Sequence, residues 1–158
     1  MAITDITHWH PVSELLATSG QPSETQLAEL SANGYQLIIN LALHDDPRYS
    51  LKDEPGTVAA LGMDYIHIPV PFDAPTVTHL KAFFAALQAA DGRKTLIHCA
   101  HNKRVAVFLA LHRVINLRWS RPMAMGAMNA VWPPEALWRG FFDDMLLAHA
   151  SVSSPFKQ

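Results

Sequence analysis

The order of segments along this chain predicts an α/β fold, a central and mostly parallel sheet of about four strands flanked by helices on both faces. Three observations carry that reading. Short apolar runs of strand length alternate with stretches whose apolar residues recur every three or four positions, the pattern of βαβ units. The 158 residues are 49% hydrophobic and 16% charged, which supplies a sizeable core and argues against disorder. No fixed-period repeat, low-complexity tract or internal linker interrupts the alternation. A chain of this length is one domain, assigned to residues 1–150, with 151–158 expected as a loose tail.

The elements follow in order. Ser23 and Gln26 have capping-box spacing and Gly34 stands where a helix C′ residue would, so residues 24–33 form a short helix. The compact apolar run 37–41 suits a buried strand. A second short helix spans about 53–61 and ends near Gly62. Residues 65–70 are the next strand, and Pro69 marks its end or a sheet edge. Val77, Leu80, Phe83, Phe84 and Leu87 then fall at helical intervals after Thr76, until Asp91-Gly92 stops them. Residues 95–98 form a short strand that leads within a few residues into a helix carrying Val105, Phe108, Leu111, Val114 and Ile115. Ser120 and Pro122 open another helix, Pro133-Pro134 breaks it, and Leu137, Trp138, Phe141, Met145 and Leu146 mark a last amphipathic helix. In such sheets ligands bind beyond the carboxyl ends of the strands, so loops 43–52, 71–75 and 99–104 should hold the function.

Composition excludes several classes. The longest stretch free of Asp, Glu, Lys and Arg runs from Leu30 to His44, only 15 residues, short of the roughly 20 that a membrane span needs. The net charge is −2 with no basic tract, so a nucleic-acid partner is not expected. The N-terminal residues carry Asp5 and lack a long apolar core, and the single cysteine, Cys99, forms no internal disulfide; both favour the cytoplasm. One cysteine excludes a Cys-rich zinc site, and neither His8 with His10 nor His98 with His101 shows converging ligands, so no metal is expected. Without a phosphate-binding glycine motif, no nucleotide cofactor is indicated. The oligomeric state stays open, because Trp119, Trp132 and Trp138 suit either a core or a partner.

The informative segment is His98-Cys99-Ala100-His101-Asn102-Lys103-Arg104. A turn between a strand and a helix points backbone N–H groups inward, and the helix dipole adds positive charge. An anion fits that cradle, with Arg104 offering planar bidentate donors. The same field stabilises a thiolate at Cys99, the nucleophile.

This segment resembles the cysteine-dependent protein tyrosine and dual-specificity phosphatases. More specifically, it resembles the bacterial phosphatase-like domain linked to beta-lactamase hydrolase-like proteins. Ser19-Gly20-Gln21-Pro22-Ser23, Ile39-Asn40-Leu41 and Ile68-Pro69-Val70 fit the same pattern, and the resemblance covers about residues 15–115. Trp132-Pro133-Pro134 with Trp138 fits an ending seen in some members. The resemblance implies that Cys99 takes the phosphoryl group as a phosphocysteine. It implies that Arg104 and the amides of Ala100, His101, Asn102, Lys103 and Arg104 bind phosphate, and that His98 helps hold the thiolate. The substrate it implies is a phosphorylated small molecule or phosphoprotein.

The chain departs from the tyrosine and dual-specificity signature in three ways. Four residues rather than five separate Cys99 from Arg104, the loop has no glycine, and Val105 stands where Ser or Thr usually follows the arginine. Asn102 suits the glycine's role because Asn tolerates the left-handed region. Two alternatives follow: a phosphate- or phosphoprotein-binding pseudophosphatase, and a rhodanese-like sulfurtransferase, whose tighter loop also has four intervening residues. Ester cleavage needs a proton donor, and Asp73, in the loop after the second strand, is the first candidate. Asp45 and Asp46 are alternatives, with Arg48 and Lys103 able to steer an anion.

Overall fold

The computed structural model describes residues 2–156. Five strands, β1 (His10–Ser13), β2 (Leu16–Ser19), β3 (Leu37–Asn40), β4 (Asp64–His67) and β5 (Thr95–His98), form one sheet in the order β1-β2-β5-β3-β4. All pairs are parallel except the β1–β2 hairpin. The sheet is therefore one strand larger than the four or so the sequence suggested, and the strand ranges read from sequence cover β3, β4 and β5 but neither strand of the β1–β2 hairpin. His10-Pro11-Val12-Ser13 has no apolar alternation because β1 is an edge strand and its residues are half-exposed or exposed. Without a hydrophobic pattern, nothing local announces the hairpin.

Strand β4 stops at His67 rather than at 70. Pro69 lacks an N–H, and beyond His67 the backbone bonds to the β3 segment are Ile68 N–H to Asn40 and Val70 N–H to Leu41. Helices α1 (Glu24–Ala32), α2 (Glu54–Ala60), α3 (Val77–Ala90), α4 (Lys103–Ile115), α5 (Arg121–Val131) and α6 (Ala136–Ala150) complete the fold. Their starts obey the caps read from sequence: Ser23 with Gln26 makes a capping box at α1, and Ser120 caps α5.

Alternation along the strands divides the core in two. Leu37, Ile39 and Ile97 face one cluster with Phe83, Phe108 and Trp138; Ile38 and Leu96 face another with Leu27, Leu30 and Val58. Helix α4 is buried without a break from Arg104 to Leu111, because α3, α5 and α6 pack around it. Truncating a buried aromatic here to alanine would cost about 3–5 kcal/mol. Within the tail as far as Phe156, Ser154 is 7% exposed, Val152 is exposed and the Phe156 ring lies 5.6 Å from Phe84; residues 157–158 lie outside the described residues.

Because β2, β3, β4 and β5 run parallel, their carboxyl ends open at one edge. Four segments meet there, the three expected loops and the Ser19-Gly20-Gln21-Pro22 turn after β2.

Candidate active site

Strand β5 ends at His98, and the cradle loop follows. Asn102 adopts φ +65 and ψ 9, the left-handed conformation expected of it in place of glycine. Its Nδ2 donates to the His8 carbonyl (2.9 Å) and to Thr18 Oγ1 (3.0 Å), which fixes the side chain, while its buried Oδ1 has no partner among the described residues. The amides of Ala100, His101, Lys103 and Arg104 have no acceptor among the described residues. Two of them are in the first turn of α4, where no preceding helical carbonyl exists. Unused donors on one short loop, beside the positive end of a helix, suit an anion.

The turn after β2 clamps this loop. Gln21 N–H donates to the Ala100 carbonyl at 3.0 Å. Gly20 permits the approach, since a Cβ there would lie 2.6 Å from the Ala100 oxygen.

Arg104 is 5% exposed and turned inward. Its Nη1 donates to the Val70 carbonyl (2.8 Å), and its guanidinium lies 5.8 Å from the Tyr49 ring centre and 5.7 Å from that of Phe72. Loops 43–52 and 71–75 thus both reach the arginine, as the sheet topology predicts. Cys99 is fully buried and belongs to the cluster facing α3 and α4. Its N–H points at the Ser19 carbonyl, 3.4 Å away.

His98 occupies the interior beneath the loop. Its Nδ1 faces the Cys99 carbonyl at 3.1 Å and its Nε2 faces Glu54 Oε2 at 2.7 Å. Glu54, 2% exposed, also accepts from Gln21 Nε2 at 2.6 Å. Burial pushes the Glu54 carboxyl up, but the facing His98 and hydrogen bonds from His98, Gln21 and Tyr65 more than offset this and hold it below its ordinary value. The sequence reading missed Glu54. It opens α2 just after the cap residue Asp53, where an acid is ordinary helix chemistry, and no local signal separates a solvated Glu from a buried one.

The proton-donor candidates separate. Asp73 is exposed and lines a cleft of about 360 Å³ with residues of α6, while its neighbour Phe72 packs on Arg104. Asp45 is exposed. Asp46 grips Arg48 through Nε (2.9 Å) and Nη2 (2.6 Å), and hydrogen bonds from Arg48 lower its carboxyl to about 2. A group that acidic holds no proton to give near neutrality.

Lys103 lies over the Trp132 ring (5.4 Å) and near Phe72 (5.9 Å). His101, exposed, is pushed down first by burial and then by the charges of Lys103, His8, Arg104 and Arg48. The three tryptophans left open by sequence all have intramolecular roles: Trp138 is buried and donates to the Phe72 carbonyl (2.8 Å), Trp132 abuts Phe72, and Trp119 lies beneath Arg113. Among the described residues no group of three or more His, Cys, Asp or Glu side chains could hold a metal ion, and no helix is long and apolar enough to cross a membrane.

Comparison with known proteins gives a consistent family. Residues 9–115 match the model described as beta-lactamase hydrolase-like protein, phosphatase-like domain. The beta-lactamase hydrolase-like protein of Xylella fastidiosa (strain Temecula1) is 31% identical over 112 residues, 70% of this chain but 26% of that protein. The chain therefore spans about a quarter of the curated relatives it matches. A candidate phosphatase (DUF442) from Shewanella putrefaciens CN-32 superimposes with a TM-score of 0.81 and 27% identity, covering 94% of this chain and 97% of that one. The fold alone is shared with the catalytic core of the S. cerevisiae PP-IP phosphatase SIW14, solved with citrate (TM-score 0.72, 16% identity, 87% of this chain and 85% of that one). It is also shared with P. aeruginosa TpbA, solved as a cysteine-to-serine variant with phosphotyrosine (TM-score 0.68, 20% identity, 91% of each chain).

Proposed function

Since the chain belongs to the phosphatase-like domain family of beta-lactamase hydrolase-like proteins, we propose that its phosphatase-type function is the hydrolysis of phosphate monoesters through a phosphocysteine. Cys99 Sγ attacks phosphorus and the bond to the ester oxygen breaks. Asp73, carried by a loop whose Phe72 already rests on Arg104, gives that oxygen its proton. Asp73 then takes a proton from water as the water attacks phosphorus, releasing inorganic phosphate and the Cys99 thiolate. Arg104 and the amides of Ala100 to Arg104 hold the equatorial oxygens throughout.

The observation that carries this reading is the cradle: free amides around a left-handed Asn102, with an inward guanidinium at one end and the chain's single cysteine at the other. The substrate class is a phosphorylated small molecule or phosphoprotein. A lone cysteine kept as a thiol suits a reducing compartment, which supports a cytoplasmic placement.

Val105 supports a second reading. It is fully buried and offers no hydroxyl to assist thiolate departure, which favours a phosphate-binding module with little turnover. Turnover of para-nitrophenyl phosphate that Cys99→Ser abolishes is the result expected of the enzyme. Phosphate or tungstate binding without turnover would instead identify the module, and sulfur transfer from thiosulfate to cyanide the rhodanese-like alternative.

A further inference from the structure

A directed hydrogen bond reaches Glu54 from Gln21, and a second set of bonds orients the Tyr65 hydroxyl nearby; each set is fixed at one end by a backbone group. On one side, the Pro22 carbonyl can only accept, so the Gln21 side-chain nitrogen faces it at 2.9 Å and donates in turn to Glu54 Oε1. On the other, the Ala42 N–H can only donate, so it takes Asn40 Oδ1 (2.8 Å). This leaves Asn40 Nδ2 to donate to the Tyr65 hydroxyl (2.9 Å). His44 Nε2 also lies on that hydroxyl, 2.7 Å away. With Asn40 donating to it, the Tyr65 hydroxyl keeps one proton to give, and His44 Nε2 and the nearby Glu54 are the acceptors within its reach.

Glu54 Oε1 therefore receives a donor from Gln21, and with His98 facing Oε2 the carboxyl is held below its ordinary value, as a carboxylate rather than a carboxylic acid. The consequence falls on His98. Its Nδ1 faces the Cys99 carbonyl, which only accepts, and its Nε2 faces a carboxylate that also only accepts. Both ring nitrogens must donate, so the ring is an imidazolium. We propose that Glu54 is a positioning residue for the cradle: it keeps His98 doubly protonated behind Cys99, and that buried positive charge favours the thiolate.

The groups facing this pair are Gln21 from the turn after β2, Tyr65 and His67 from β4, and Cys99 itself. His67 adds little competing charge. Burial first, and then the charges of His44 and His98, push it down, and its Nε2 is engaged with the Ala42 carbonyl at 2.6 Å. The arrangement explains why a carboxylate is buried at the start of α2, where a solvated acid would serve the helix equally well. The inference rests on the cysteine cradle of the proposed function, but its test does not depend on turnover.

Cys99 is the chain's only cysteine, so thiolate absorbance in the ultraviolet, with Cys99→Ser as the blank, reports this sulfur alone. In Glu54→Gln the expected midpoint of thiolate formation moves up by about one pH unit, roughly a tenfold loss of thiolate at a fixed acidic pH. Tyr65→Phe, which removes the hydroxyl near Glu54 and leaves Glu54 in place, should move it in the same direction by less. It keeps the test available if Glu54→Gln fails to fold. Nitrogen-15 spectra of the wild type should show both His98 ring nitrogens protonated, and in folded Glu54→Gln one should lose its proton at a lower pH than in the wild type. An unchanged midpoint in folded Glu54→Gln, or in Tyr65→Phe if only that variant folds, would overturn the proposal. So would a neutral His98 ring in the wild type under mildly acidic conditions. Absence of phosphatase turnover with a shifted midpoint would remove the proposed reaction and leave this inference standing.

Discussion

The backbone of Gly20 approaches the Ala100 carbonyl so closely that a Cβ at residue 20 would lie 2.6 Å from the oxygen. Thr7 bounds the other side, with its carbonyl accepting from Gly20 N–H at 2.7 Å. The closest neighbour is backbone and cannot swing away, and on the Thr7 side that Cβ would meet the side-chain methyl at 3.0 Å and the carbonyl oxygen at 3.2 Å. The turn after β2 and the loop from Ala100 to Arg104 are thus held as one unit. Gly20→Ala is expected to destabilise the protein by about 1–3 kcal/mol through this overlap. Phosphate or tungstate affinity should fall with it, as the loop shifts. Chemical unfolding together with anion titration checks both; unchanged affinity would show that the cradle does not depend on the turn.

Asn102 combines a left-handed backbone with two side-chain donations. Asn102→Ala loses both and strains the conformation, so a loss of about 2–3 kcal/mol is expected. Asn102→Gly relieves the backbone but not the lost bonds, and should fall between alanine and the wild type in denaturant midpoint. An equal loss in both variants would mean that the conformation contributes nothing.

Asp73 and Asp46 predict opposite outcomes. Asp73→Asn should lower turnover of a poor leaving group by about 10²-fold and flatten the alkaline limb of its pH profile. Asp46, already held to about 2 by Arg48, carries no proton at working pH, so Asp46→Asn should leave that limb in place. Steady-state kinetics of the two variants side by side distinguish them.

Stability should also report Glu54. Its carboxyl is held below its ordinary value of 4.5 in the fold, so near that pH the unfolded chain binds more protons than the native one. The resulting stabilisation is fully present above about 4.5 and drains away as pH falls through the folded value. Glu54→Gln should show a flatter decline of stability across that acidic window. A parallel decline in wild type and variant, measured by urea unfolding at several pH values, would contradict the assignment.

Local interactions were legible without a structure. Helix α1 is announced by Ser23, Gln26 and Gly34 because a cap and its partner lie within one turn of each other. The left-handed turn at Asn102 was legible for the same reason: cysteine, left-handed residue and arginine occupy six consecutive positions. The β1–β2 hairpin was not: β1 is an exposed edge strand containing Pro11 with no burial pattern, and β2 is buried along Ala17-Thr18-Ser19 without apolar alternation.

The sequence by itself determined the alternation of strands and helices from α1 onward, the strand-to-helix turn from Cys99 to Arg104 and the loops that meet it. Only the tertiary structure decided what lies beneath that cradle. Glu54 and His98 are 44 positions apart, and Gln21 and Glu54 are 33 apart; the strand order that places β2 and β3 on either side of β5 brings the turn after β2, the start of α2 and the end of β5 to one edge. A glutamate at a helix start reads identically whether it meets water or a buried imidazole. Burial, which no local pattern encodes, is what obliges that carboxylate to find partners.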